Sequence, residues 1–564
     1  MGQRWQGDMY RTYVVCCTSH ERTYARWVCM WCVDVLQQVN ALPAARDTQP
    51  NTRMRGHACF VPPAQVSRER NMLYTQVVAS MIVAAFPEKR VSYLLFCCSS
   101  RLPPSAPSHS RITLSHMSTQ ADTPYNSLQR GIAQQADMKK FAILVGGFEI
   151  LLLILFTVAV EYPEQGFTQK DDIQYIFYLN VTIMMLIGFG FLMTFMSRYG
   201  LGAVGLTFLI TVLCIPWCIL SGRLFASLAG NQDYPSLVGN TTAYHLVGTL
   251  PKIQLNINAL LQGNFAAAAL LISFGAVIGK LSPFQVALLA ILEVPIYSFN
   301  KEVVAIGAFD TLDMGGTIFI HLFGAYFGLA VAYMVGQPKS ASASQNAEPT
   351  IISDVFSLIG TTFLWIYWPS FNGATAPLGQ TQQMLTTANT VMALCSSCAW
   401  TFVLSAYMNR KISTVDVQNA TLAGGVAVGA SSNLLISPAG AMLIGFIAAT
   451  VSVYGFNRVQ TYLEEKLNLH DSCGVHNLHG MPALVGTICV VVATSIPNCR
   501  PKNVLYPRGT NQPWAQLEGA LGTLAVAILG GLVVGKIVKA CGRDTENNPE
   551  FVDDPYWTVA VVAN

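Results

Sequence analysis

From Phe141 onward, apolar runs about 20 residues long alternate with short polar breaks almost to the end of the chain. A helix rises about 1.5 Å per residue, so a run of that length crosses a hydrocarbon core about 30 Å thick. The pattern predicts spans near residues 141–160, 175–197, 200–221, 254–279, 283–299, 315–336, 351–371, 387–408, 415–435, 438–456, 473–496 and 518–538. This is an all-α polytopic membrane protein of about 12 transmembrane helices, and an even count puts both termini on one side. The connections on that side carry Lys139, Lys140, Arg198, Lys280, Lys339, Arg410, Lys411, Arg458, Lys466, Lys536, Lys539 and Arg543, which marks it as cytoplasmic. The opposite side holds a roomy loop with the sequon Asn240-Thr241-Thr242, an expected extracellular glycosylation site. Sequons at Asn180 and Asn419 fall at or within spans and are expected to stay unmodified.

Residues 1–138 break the pattern. They are polar, rich in Arg, Cys, Ser and Pro, and lack the ordered zones of a signal peptide. The run Val77–Phe86 is too short to span. We expect this extension to be disordered or to reflect an incorrect start of the gene model. Residues 139–540 form the membrane domain and 541–564 a cytoplasmic tail.

Composition narrows the classes further. Only 11% of residues are charged, against about 25% in soluble domains, and 52% are hydrophobic. The net charge of +3 is spread out, so no basic stripe for nucleic acid forms. Of the 15 cysteines, seven lie in the N-terminal extension and most others within apolar runs, as buried thiols rather than a disulfide framework. No phosphate-binding loop or H-E-x-x-H pattern is present, so neither a cofactor nor an enzyme is indicated.

Two distant segments share one pattern, D-x-x-G-x-x-x-x-H: Asp313 to Gly316 and His321, and Asp471 to Gly474 and His479. They open the sixth and eleventh predicted spans, so each closes a block of five. An odd block length turns the second copy over, giving two inverted five-helix repeats plus flanking helices. At about 1.5 Å per residue, each histidine is carried roughly 12 Å inward from its aspartate, from opposite faces, and the two rings are expected to meet near the midplane. One intramembrane histidine is as readily a polar link between helices; two placed alike by opposed repeats point to a functional centre. His476 competes with His479 but breaks the spacing. Cys473, His476 and His479 fall roughly on one helical face, yet no fourth ligand accompanies them, so no metal is expected. The pairs Gly324/Gly328, Gly425/Gly429 and Gly531/Gly535 indicate closely packed helices.

Gly188-Phe-Gly-Phe-Leu-Met-Thr-Phe, Ser273-Phe-Gly-Ala-Val-Ile-Gly-Lys, Trp365-Ile-Tyr-Trp-Pro-Ser-Phe-Asn, Asn419-Ala-Thr-Leu-Ala-Gly-Gly and Asn477-Leu-His-Gly-Met-Pro resemble the Rhesus glycoprotein branch of the ammonium transporter superfamily. The resemblance runs from about Phe141 to Gly535. It implies an ammonium or ammonia channel in the plasma membrane, assembled as a homotrimer with one pore per subunit, two stacked phenylalanines and a hydrogen-bonded histidine pair. Phe265 and Phe371 resemble the gating phenylalanines, and His321 and His479 the pore histidines. Asp313 resembles the aspartate that organises the entrance. Glu302 falls where these proteins carry an acidic outer-vestibule residue, though alone it reads equally as a solvated loop charge. Asp354 and Glu464 resemble inner-vestibule acids, and alone read as solvated charges. A further inner acid is Ser413 here, with Asp416 nearby. The extension has no counterpart in the family pattern. Passage of carbon dioxide, or a non-conducting membrane scaffold, stay as alternatives; a scaffold need not keep both histidines.

Overall fold

The computed structural model describes residues 124–230, 252–377, 381–502, 504–543, 545 and 548–558. Asn240 and residues 1–123 of the predicted extension lie outside the described residues. Residues 124–138 belong to a helix that runs Pro124–Ala159, so the first described helix begins well before the predicted boundary at 139.

Among the described residues, eleven helices are long and apolar enough to cross a membrane. They are α1 Gln134–Ala159, α2 Gln169–Phe195, α3 Gly200–Leu228, α4 Ile257–Val277, α5 Pro283–Ala308, α6 Thr317–Val335, α7 Ile351–Gly373, α8 Thr381–Asn409, α10 Pro438–Leu467, α11 His476–Ser495 and α12 Gly509–Ala540. The predicted span 415–435 is α9, which differs from the expectation of one continuous helix. It is built from Thr414–Asn419, Ala420–Leu422, Ala423–Val428 and Gly429–Ser431, alternating α and 3₁₀ turns.

Such a break survives in a bilayer only where other groups satisfy the freed backbone. Here neighbouring helices supply them. Thr361 Oγ1 donates to Gln418 O at 2.8 Å, and Ser397 Oγ donates to Ala420 O at 2.8 Å and accepts from Gly424 N at 3.0 Å. Thr317 Oγ1 donates to Val426 O at 2.7 Å and accepts from Ala430 N at 2.8 Å. Two glycines let the partners come this close: a Cβ on Gly424 would lie 2.4 Å from Ala393 O, and one on Gly429 2.7 Å from Thr317 Oγ1.

Connections segregate into two sets, as twelve passes require. On one side β1 (Val160–Glu161) pairs in parallel with β2 (Ile253–Gln254), Arg508 binds Asp310 at 2.6 Å, and Leu435 N donates to Cys499 O. On the other, the tail ties the loops together. Glu550 accepts from Lys339 N and Ser340 N, Phe551 N donates to Gly279 O, and Asp553 caps α3 by accepting from Leu201 N and Gly202 N at 2.6 and 2.7 Å. That side holds the predicted cytoplasmic lysines and arginines.

Apolar residues lie on both surfaces of the bundle: Ile143 is 76% exposed, whereas Ala267, Phe274 and Phe323 are fully enclosed. Lipid is as apolar as a protein core, so close contact and buried hydroxyls, rather than hydrophobicity, select the interior. Accordingly α4 and α6 are the most enclosed spans, and Gly328 of α6 rests on the backbone of Ser273. Gly360 of α7 presses on α2, where an added Cβ would lie 2.1 Å from Leu192 N. Gly360→Ala is expected to destabilise the protein by about 1–3 kcal/mol, because the obstructing atom is backbone and cannot rotate away. A drop in the apparent Tm of detergent-solubilised protein checks this.

Candidate functional site

The two D-x-x-G-x-x-x-x-H segments fold alike. Asp313 Oδ2 accepts from Ile318 N and Phe319 N, both at 2.7 Å, and Asp471 Oδ2 accepts from His476 N at 2.9 Å. Each carboxylate thus caps the free N–H groups of an entering helix. Burial pushes the Asp313 carboxyl up to about 7 and that of Asp471 up to about 6, while the backbone donors pull both down. The glycine three residues on has positive φ in both copies, +72° at Gly316 and +71° at Gly474. A side chain there is strained, and a Cβ on Gly474 would also lie 2.2 Å from the Phe456 ring.

Each segment then enters a π-helical turn, Thr317–Leu322 and His476–Gly480, rather than the α-helix assumed in the 12 Å reckoning. The wider turn rises less per residue and rotates the histidine relative to an α-helix. Phe189, Lys301 and Glu302 also lie in π turns, Met184–Phe189 and Asn300–Ala308. Single π turns recur at functional sites because they re-aim side chains.

His321 and His479 meet through their Nδ1 atoms at 3.2 Å, with rings 6° from parallel, and both are buried. One Nδ1 must carry the shared proton and the other accept it. In a neutral pair the donor ring then has a bare Nε2 and the acceptor ring an Nε2–H, so the pair offers one acceptor and one donor outward. His321 Nε2 is buried without a protein partner. Around the rings the walls are aromatic: Trp368 lies 5.6 Å from His321 at 21°, and Phe189 6.2 Å from His479 at 21°. Neither was singled out from sequence as a pore residue. Trp368 stands three residues before Phe371 on the same helical face, which is the signal that marks it.

Beside His479 is a cavity of about 30 Å³ lined by Phe189, Leu192, Ile272, Val475 and Leu478 among others, with no carboxylate or lysine. A water-sized molecule needs about 10–15 Å³. The cavity is therefore large enough for one water-sized molecule. A bare cation there would lose several kcal/mol of hydration.

Phe265 and Phe371 do meet, with centroids 5.0 Å apart, but at 85°. They are edge-to-face rather than stacked as the resemblance implied, an arrangement the ring quadrupoles favour. Glu302 is no solvated loop charge. It is buried in α5, where Lys301 Nζ binds its Oε1 at 2.6 Å. Asp354 accepts from Gln418 Nε2 at 2.9 Å and Thr414 Oγ1 at 3.2 Å, so it ties α7 to the start of α9. Glu464 lines a polar recess of about 390 Å³ with Ser413, Asp416, Asn457 and Gln460. Asp416, buried there, accepts from Asn409 and Asn457, and so keeps an acid beside the position that Ser413 occupies. Among the described residues, no three His, Cys, Asp or Glu side chains converge to hold a metal ion.

These features define a polytopic membrane transport protein with an enclosed apolar site interrupted by a histidine pair. The chain belongs to the Ammonium Transporter Family, in its Rhesus branch: the family profile matches residues 147–550. It is 35% identical over 439 residues to Ammonium transporter Rh type B of Danio rerio, covering 73% of this chain and 91% of that one. It is 34% identical to Rhesus-like glycoprotein B of Dictyostelium discoideum, covering 75% of this chain and 73% of that one. Among solved structures, Rh50 of Nitrosomonas europaea is similar at 35% identity and a TM-score of 0.57, over 69% of this chain and 93% of the other. Mep2 of Candida albicans, at 19% identity and a TM-score of 0.51 over 69% and 87%, shares the fold. The family consists of transporters and channels, not enzymes.

Proposed function

We propose that the chain is an ammonia channel in which ammonium is received at the outer mouth, gives up its proton to the external water, and crosses as ammonia past Phe265, Phe371, His321 and His479. The observation that carries this reading is the buried histidine pair beside an apolar cavity of molecular size. Neutral ammonia loses little by leaving water, whereas the ion loses much, so the apolar wall selects the neutral form. The paired imidazoles give it a donor and an acceptor in turn. Asp313 keeps the entrance in shape through its backbone bonds, and the recess at Asp416 and Glu464 offers an acidic exit where ammonia regains a proton. The working unit is a homotrimer with one pore per subunit, in the plasma membrane, with cytoplasmic termini and glycosylation at Asn240.

The test is reconstitution in liposomes with an inward ammonia gradient, internal pH being followed by stopped flow. We expect alkalinisation faster than in empty liposomes. Equal rates with correctly assembled protein would leave the scaffold reading, and acceleration by a carbon dioxide gradient alone would leave the carbon dioxide reading.

A further inference from the structure

Lys301 and Glu302 are neighbours in sequence, and adjacent residues on a helix do not normally face one another. Here a third group draws them together. Lys301 Nζ donates to Glu302 Oε1 at 2.6 Å and to Gln262 Oε1 at 3.0 Å. Gln262 stands on α4 three residues, nearly one turn, before Phe265, on the outer side of the Phe265–Phe371 contact. The ion pair is well enclosed, with the two side chains 17% and 3% exposed.

A lysine ε-ammonium is one positive charge with three N–H donors; an ammonium ion is the same charge with four. A carboxylate and an amide carbonyl that hold the first in place present the groups needed to hold the second. We propose that Lys301 occupies with its own side chain the position between Glu302 and Gln262 at which the outer mouth would receive ammonium, as a tethered competitor of the cargo. The proposal rests on the ammonium-channel reading given above. Ammonium enters when Lys301 swings away, which its flexible four-carbon stem permits. The apparent affinity for ammonium is then lowered by the fraction of time for which the lysine is bound.

Lys301→Met removes the competitor and keeps the apolar stem. If the lysine holds the site about nine-tenths of the time, half-saturating ammonium falls about tenfold in the variant. Loss of the lysine also breaks the enclosed Lys301–Glu302 ion pair, a costly change in a buried place. Ammonium chloride should therefore raise the apparent Tm of the purified Lys301→Met protein above that in equal sodium chloride, while wild type responds alike to both salts. A Lys301→Met protein that folds only in ammonium chloride supports the proposal in the same way.

A salt bridge that merely joins two helices predicts otherwise: equal loss of stability in both salts and unchanged half-saturation. Either result overturns the proposal. If Lys301→Met folds in neither salt, Lys301→Arg decides, because it keeps the tethered charge. Half-saturation at or above the wild-type value supports competition, and a fall overturns it. If wild type itself moves no ammonia, the channel reading has failed; if wild type conducts and Lys301→Met matches it, only the competitor has.

Discussion

Replacing both His321 and His479 by alanine is expected to slow ammonia entry about thirtyfold. Each ring supplies a passing molecule with one hydrogen bond in a place without water, and a net bond is worth about 1 kcal/mol. Two such losses raise the barrier by about 2 kcal/mol, at about 1.4 kcal/mol per decade of rate. The double variant is a cleaner probe than either single one. Removing one ring leaves the other's Nδ1 buried with no partner, since the two Nδ1 atoms bind each other at 3.2 Å, and that adds an unfolding effect. Stopped-flow alkalinisation of liposomes carrying equal amounts of monodisperse protein reads the difference. Wild-type rates in the double variant would remove the histidine pair from the conduction path.

Thr317→Val is expected to destabilise the protein by about 2–6 kcal/mol, with no change of volume to account for it. The hydroxyl of Thr317 both donates to Val426 O and accepts from Ala430 N, so valine strands two buried backbone groups at the break in α9. Each stranded group costs about 1–3 kcal/mol. Thr317→Ser keeps the hydroxyl and should retain most of the stability. Thermal unfolding of the purified protein followed by size exclusion separates the two. If valine and serine behave alike, the hydroxyl is not what sustains the broken helix. The same threonine opens the π turn that carries His321, so its loss should also reach the pore.

Much of the membrane fold was readable because a bilayer imposes a length on every crossing. Eleven of the predicted spans correspond to long helices, with ends shifted by several residues where polar turns continue a helix beyond the apolar run, as at Pro124 and Leu467. The ninth differs because its backbone bonds go to side chains of α6, α7 and α8, partners far away in sequence. Glu302 illustrates the same limit at the site. Its charge is visible in the sequence, but not its burial, nor that the Lys301 bound to it also reaches Gln262 of another helix.

By itself, then, the sequence determined the class of the protein, the order of its apolar crossings and the repeat that singles out His321 and His479. These follow from local quantities: the length of an apolar run and the spacing of a motif. Only the tertiary structure decided that the histidines meet through Nδ1, that Phe265 and Phe371 stand edge to face, that Trp368 and Phe189 wall the site, and that α9 is broken. Those outcomes turn on contacts a few ångströms long between helices distant in sequence. In a chain whose lipid-facing and buried surfaces are equally apolar, hydrophobicity cannot announce which residues make them.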